Sequence, residues 1–459
     1  MKPLNTLFLK ADDLHQVHHH SGDDNRNFLV DTQTGQTINS LKKANEIAAE
    51  RLSCNRRTAL TGASVGVLSL SSVMLTESAA PRYAYAAEPI GDGTVLIMVY
   101  LRGGADGLSL VTPYADSYYT ASRKTTRKTP SMAGAKVLDS TFMLAPELSS
   151  LTSAWVAGDL SIVHSVGLNS NTRSHFSNYK EADRSAPVQY KTGWLARLLD
   201  ATTNNASQFR AFSHAGNVSG AFYGTDQEVL AISSFADFKM KSTAKDTSTI
   251  DALAQRINSK VGGELGTMVK TTLSSMTEIQ KLNAPSYVPE NGASYPKSDF
   301  GQSMKDIAQI LKANKGVQVV TVDQSGWDTH RGQASQVNLL ARDLGDALGA
   351  FYKDMGPTRM NKVVLMTVSE FGRTTLENAS LGTDHGAGNF SFILSGRATG
   401  KVAGGQWIGL KNARDKDNAI LTDYRALAAE VMSKGLGIDQ ARISQILPDY
   451  SPTPVGVLS

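Results

Sequence analysis

The 459-residue chain contains a single cysteine, Cys54. That excludes a disulfide framework and any zinc site built on thiolates. Long apolar runs are missing as well, and no stretch approaches the roughly 20 consecutive apolar residues that a bilayer-spanning helix needs. Neither sign of charge dominates: 46 Lys and Arg stand against 42 Asp and Glu, a net charge of +4. This interspersed balance makes no electrostatic case for nucleic acid or an anionic membrane as partner. Beyond residue 87 there is no phosphate-binding P-loop, no Gly-x-Gly-x-x-Gly, no Gly-x-Ser-x-Gly elbow and no His-Glu-x-x-His. Their absence argues against P-loop nucleotide hydrolysis, dinucleotide-dependent dehydrogenation, α/β-hydrolase esterase chemistry and zincin proteolysis. The composition is otherwise globular, with 41% hydrophobic and 19% charged residues, and long enough for a large core and one or two domains.

Residues 1–87 read as a leader. Met1 to Ser53 is polar, with a cluster at His18, His19 and His20 that reads as a solvated stretch. Asn55-Arg56-Arg57-Thr58 then precedes a moderately apolar segment from Ala59 to Leu75, interrupted by Gly, Ser and Thr, and Ala84-Tyr85-Ala86 offers a small-x-small cleavage pattern. The arrangement resembles a twin-arginine export signal. It leads us to expect passage through the twin-arginine translocon, a periplasmic or secreted mature protein, and no stable membrane span in that form.

Three apolar runs each stop in a turn that carries an acid. Thr94 to Leu101 runs into Arg102-Gly-Gly-Ala-Asp106-Gly107. Val317 to Val322 runs into Gly326-Trp-Asp328-Thr-His330, and Lys362 to Val368 runs into Ser369-Glu370-Phe-Gly-Arg373. Short runs rich in β-branched residues and bounded by glycine turns predict strands buried on both faces of a parallel sheet. Ligands of such sheets bind beyond the carboxyl ends of the strands. Between the second and third runs, Val337, Leu340, Leu344, Leu348, Phe351 and Met355 predict one apolar face of a helix over 333–355. Strand, helix, strand of this length is a βαβ unit. A further strand is expected at 160–166, and helices near 146–155, 193–200 and 422–432. The fold class is therefore α/β, a mostly parallel central sheet flanked by helices over 88–459, with a helical insertion at 235–316.

Each candidate residue has a chemical and a structural reading. Asp106 sits where glycines let the backbone approach a hard cation, and equally where a turn aspartate would bond locally. Ser174, in Arg173-Ser174-His175-Phe176, stands where a helix opens; there a hydroxyl is either an N-cap or a nucleophile beside free N–H groups, with Arg173 or Asn171 as an oxyanion clamp. Asp328 and His330 share one side of an extended segment, as metal ligands or as a capped turn with a surface histidine. Glu370 ends the most apolar strand, where a carboxylate must be coordinated or paired, with Arg373 as the nearby partner. His385, in Gly382-Thr-Asp-His385-Gly386, closes a metal site, serves as a general acid, or is a loop histidine. His164, inside a strand, reads as a core histidine.

Taken together, five segments resemble the exported bacterial proteins of the domain-of-unknown-function 1501 family: Leu101 to Leu108, Arg173 to Phe176, Gly326 to His330, Ser369 to Arg373 and Gly382 to His385-Gly386. That family is similar in turn to the alkaline phosphatase and sulfatase superfamily. The resemblance implies an alkaline phosphatase-like fold with divalent metal, zinc first and calcium, magnesium or manganese after it, at the carboxyl edge of the sheet. By order along the chain it implies Ser174 as nucleophile and Arg173 as clamp, one ion on Asp328, His330 and His385, and a second on Asp106 and Glu370. The implied substrate is a small-molecule or glycan phosphate or sulfate ester. Two departures stand out: Phe371 occupies the place of a ligand histidine, and no Cys/Ser-x-Pro-x-Arg sulfatase signature occurs. They keep open a relative that binds a metal or an anionic ligand without turnover, or a structural partner in export.

Overall fold

The computed structural model describes residues 93–168, 172–202, 207–238, 263–283, 287–412 and 417–459. The leader at 1–87 and Asn171 lie outside the described residues. The chain divides into two units, one of Met1–Met74 with Phe238–Gln280, the other of Leu75–Asp237 with Lys281–Ser459. Of the first, Phe238 and most of a helix, Gly263–Asn283, are described; the helix buries Met276 and Ile279. The second carries the sheet.

That sheet is built around β1 (Val95–Arg102), whose residues are buried except at the last position. Together with β2 (Leu160–Gly167), β3 (Ala211–His214), β4 (Leu230–Ala231), β5 (Val319–Ser325), β6 (Val363–Val368), β7 (Asn389–Leu394) and β8 (Val402–Ala403), it forms the order β8-β2-β7-β6-β1-β5-β3-β4, with β9 (Thr422–Asp423) pairing β2. Leu96 aligns with Val319 on one side and Val364 on the other, both parallel. β7 runs antiparallel to β2 and β6, and the other described pairs in this sheet are parallel. The α/β class and the mostly parallel sheet expected from the apolar runs are what the chain adopts. The βαβ unit differs in one respect: β5 and β6 are parallel, but β1 lies between them.

Helices cover the sheet. α1 is His175–Arg184, α2 Trp194–Asp200, α3 Asp299–Lys312 and α4 Gln333–Met360. α4 holds helical geometry to Met355 and breaks at Gly356, where φ is +67°. Only glycine takes that conformation at little cost, and Pro357 then opens the last turn. The break falls where the sequence pattern ended the helix. Within the 235–316 segment, α3 belongs to the sheet-bearing unit and packs on α4 and β5. The stretch from Tyr114 to Met143 holds the short helix Ser117–Ser122 and the strand Lys136–Val137, which with Val111–Thr112 flanks Met143–Leu144 in a small antiparallel sheet. Such two-residue strands leave no periodicity to read. Near the end, Asp423 caps the helix Tyr424–Glu430 by accepting from Arg425 N–H.

Because β1, β5 and β6 are parallel neighbours, their carboxyl ends share one edge. The turns after them, 103–107, 326–332 and 369–373, therefore meet there. At this edge Gly103 has φ +115°, and a β-carbon on it would lie 2.5 Å from the Asp328 amide nitrogen. The close approach of the first two turns requires glycine.

Candidate metal centre

Five histidines follow residue 87: His164, His175, His214, His330 and His385. Three of them converge. Their rings lie 4.4 Å (His175 to His385) and 4.8 Å (His330 to His385) apart. In each, Nδ1 faces an acceptor. His175 Nδ1 is 2.6 Å from Glu370 Oε1, His385 Nδ1 is 2.7 Å from the Arg173 carbonyl, and His330 Nδ1 is 3.1 Å from Asp384 Oδ1. Acceptors place the proton on Nδ1 and leave the lone pair on Nε2.

All three Nε2 atoms turn to one oxygen, Oδ1 of Asp328. The separations are 3.0 Å from His330, 3.5 Å from His385 and 3.7 Å from His175, with 3.0 Å between Nε2 of His330 and of His385. Nε2 of His175 is buried and has no hydrogen-bond partner. One ligand atom each from His175, Asp328 and His385 falls within 4.8 Å of the others, as a metal ion requires. Zinc ligands at about 2.0–2.2 Å in a tetrahedron stand roughly 3.3–3.6 Å apart, so the group of His175, Asp328 and His385 suits zinc, with His330 Nε2 3.0 Å from two of its members. A buried imidazole nitrogen without a hydrogen-bond partner, set among other ligand atoms, is an observation that a bound cation explains.

Local sequence accounts for each position. Asp328 and His330 are two apart in an extended segment. His385 lies in a loop pinned by backbone bonds from Gly386 to Gly372 and from Gly372 to Ala387. His175 is the first residue of α1, directly after the N-cap position of Ser174. Glu370 holds His175 and is held in turn: Gly103 N–H donates to Oε1 at 2.9 Å and Ser369 Oγ donates to Oε2 at 3.0 Å. Its carboxylate reaches the cluster through His175.

Electrostatics divides the acids. Asp328 is half exposed. Partial burial raises its carboxyl pKa, but the hydrogen bond and charge of Arg373, at 2.6 Å, with the neighbouring imidazoles outweigh it and hold the carboxyl below its ordinary range. Arg373 was expected on Glu370; it donates instead to Asp328 and to the carbonyls of Gly103, Gly104, Trp327 and Thr383. Burial, ahead of the neighbouring charges, lowers the His385 pKa, which favours the neutral ring that a metal needs.

The ligand role expected of Asp106 finds no support in its surroundings. The side chain is wholly buried, and the Arg123 guanidinium grips it with Nη1 at 2.6 Å and Nη2 at 2.9 Å. Ser109 Oγ at 2.6 Å and Gln333 Nε2 at 2.5 Å complete the set. Both carboxylate oxygens are thereby taken, whereas Arg373 holds Asp328 through Oδ1 alone. Burial raises the Asp106 pKa, yet Arg123 more than offsets it and the carboxyl stays below its usual range. Breaking such a pair costs about 3–5 kcal/mol. Asp106→Asn is therefore expected to destabilise the fold by that order in urea unfolding. Since the folded pKa is depressed, the pair's contribution is fully present above the unfolded value of about 3.9 and is lost as pH falls through the folded one. Acid unfolding of Asp106→Asn should be correspondingly flatter; an unchanged acid limb would contradict the assignment.

Ser174 lies partly exposed at the start of α1, and its hydroxyl makes no capping bond. Arg173 has a left-handed backbone, φ +55°, which turns its carbonyl to His385, and its guanidinium is 3.7 Å from Asp417. Phe371 packs 4.6 Å from the His385 ring and 4.9 Å from His175, forming a wall of the centre. His164 is in the core, stacked on Phe142 at 5.3 Å, with burial pushing its pKa down to about 4.

A family model described as "Protein of unknown function (DUF1501)" matches residues 153–445, well over half of the chain. The chain belongs to this family. Its DUF1501 region contains His175, Asp328, His330, Glu370 and His385. No curated protein matches the chain. Among solved structures, the lipoteichoic acid synthase LtaP from Listeria monocytogenes is similar at 11% identity and a TM-score of 0.30, over 83% of this chain and 79% of that one. A TAB5 alkaline phosphatase mutant with Mg bound is similar at 10% identity and a TM-score of 0.30, over 80% and 100%. The C-terminal periplasmic domain of EcEptC from Escherichia coli, in complex with Zn, is similar at 10% identity and a TM-score of 0.26, over 68% and 77%. Among the described residues no helix is long and apolar enough to cross a membrane.

Proposed function

We propose that this protein is a metal-dependent hydrolase of phosphate or sulfate esters, with zinc held by His175, His330, His385 and Asp328 and Ser174 as nucleophile. The observation that carries the reading is the convergence of three imidazole Nε2 atoms on one carboxylate oxygen. Bound there, zinc would lower the pKa of a nearby hydroxyl and offset the charge that develops on the ester. The chain's own residues do the rest. Glu370, the Arg173 carbonyl and Asp384 fix the three imidazoles in the ligating tautomer. The Ser174 hydroxyl, free of a capping bond, attacks phosphorus or sulfur; the alcohol leaves and takes a proton, and water then releases the acid from Ser174. The N–H groups of the first turn of α1 and the Arg173 guanidinium offset the charge on the non-bridging oxygens.

A second reading has an observation in its favour. The Phe371 ring fills space against two of the imidazoles, where the superfamily that the sequence resembles has a further ligand. On that reading the centre binds metal and anion without turnover. Hydrolysis of aryl phosphate or aryl sulfate by the zinc-loaded protein, lost on chelation, supports the first. Zinc binding with no release from either ester leaves the second.

Export belongs to the same proposal, on the strength of the Arg56-Arg57 leader. Replacing both arginines with lysine is expected to keep the protein in the cytoplasm; cell fractionation that finds it outside as before would sink the twin-arginine route.

A further inference from the structure

The site just described stands at an open face: the side chains of Asp328, His330 and Asp384 are 50%, 40% and 63% exposed. Two large apolar side chains are presented by the segments that carry it. Phe176, the residue after His175 in the first turn of α1, is 81% exposed. Leu381 is 55% exposed, and the backbone of the next residue, Gly382, packs so closely on the His330 carbonyl that a β-carbon there would come within 2.2 Å.

Neither side chain is buried by the fold. A phenylalanine that buries almost nothing gives up the largest contribution its side chain could make. Leu381 forgoes burial too and in addition takes a left-handed backbone, φ +58°, which leucine adopts only at a cost. The turn that imposes this is stapled by Asn378, whose Oδ1 accepts from the N–H groups of Ser380 and Gly382. At Leu381 strain and apolar exposure are kept together beside the ligand cluster, a pairing that a ligand explains better than packing does.

We propose that the ester acted on carries an apolar group, alkyl or aryl, on the alcohol side, and that this group packs against Phe176 with Leu381 as a second contact. The inference rests on the metal-dependent reading of the site. The ester's anionic end meets the cluster and the Arg173 guanidinium, and its apolar end lies along the exposed rim. The substrate class is thus an amphiphilic ester and not a small, wholly polar one.

Calorimetric titration of the zinc-loaded protein with inorganic phosphate and with hexyl phosphate tests this. Hexyl phosphate is expected to bind about tenfold more tightly, since burying a few methylenes is worth about that factor. Phe176→Ser should remove most of the difference and Leu381→Ser part of it, with zinc content and inorganic phosphate affinity unchanged. Val156→Ser is the control, because Val156 is 70% exposed but lies on the Thr152–Ala157 helix that leads into the amino end of β2; it should change nothing. Equal affinity for the two probes, or a preference that survives both rim variants, would overturn the proposal. Failure of zinc-loaded protein to bind inorganic phosphate at all would overturn the site reading itself, and this inference with it.

Discussion

Replacing His175 with alanine is expected to weaken zinc binding by more than about 100-fold. Loss of an orienting partner alone costs metal sites roughly 10–100-fold, and His175 supplies an actual donor, the buried and unpartnered Nε2. Glu370→Gln should fall within that smaller range, because it weakens the grip on His175 Nδ1 while leaving all four donors in place. The order of the two variants is informative. If Glu370 were a ligand and His175 a bystander, Glu370→Gln would lose more metal than His175→Ala. Competition with a chromophoric zinc chelator measures both.

The second large effect concerns Ser174. Ser174→Ala is expected to lower turnover of an aryl ester at least about 1,000-fold, as removal of a nucleophile does elsewhere, with zinc content unchanged. Metal and turnover should therefore separate: His175→Ala loses both, Ser174→Ala only the second. The helix start makes this separation feasible. Ser174 is at the N-cap position without a capping bond, so alanine removes a hydroxyl that contributes little to the helix. Retention of full turnover in Ser174→Ala would reject the nucleophile and shift attention to a water attacking directly.

Much of this was legible in the sequence, for reasons that particular elements make plain. β1, β5 and β6 are buried on both faces, so their apolar runs are continuous and their ends sharp. α4 shows its stripe and its stop because Gly356 needs a left-handed backbone. β7 was not read: Asn389 and Ser391 interrupt its apolar run, and its bulged, antiparallel pairing with β2 depends on contacts across more than 200 positions. At the site, Asp328, His330 and His385 were found as candidates because they stand at the ends of recognisable turns. Asp106 and Glu370 were assigned to a metal on the same ground, and there local pattern runs out. A carboxylate at a strand end looks alike in sequence whether it faces an ion, a guanidinium or an imidazole. The choice was made by Arg123, 17 residues from Asp106, and by His175, 195 residues from Glu370. His175 lies inside the motif Arg173 to Phe176, beside a serine that carries the more familiar signal. The signal for His175 was available: it is one of only five histidines beyond the leader, at the first position of a helix that the preceding strand delivers to the sheet edge.

X-ray absorption at the zinc edge, on protein loaded with one equivalent of zinc and dialysed, tests the central claim most directly. The account predicts a four-coordinate ion with nitrogen and oxygen donors at about 2.0–2.2 Å and multiple-scattering features of three imidazoles, reduced to two in His175→Ala. A six-coordinate ion in an all-oxygen shell, or the same spectrum with and without His175, would contradict it.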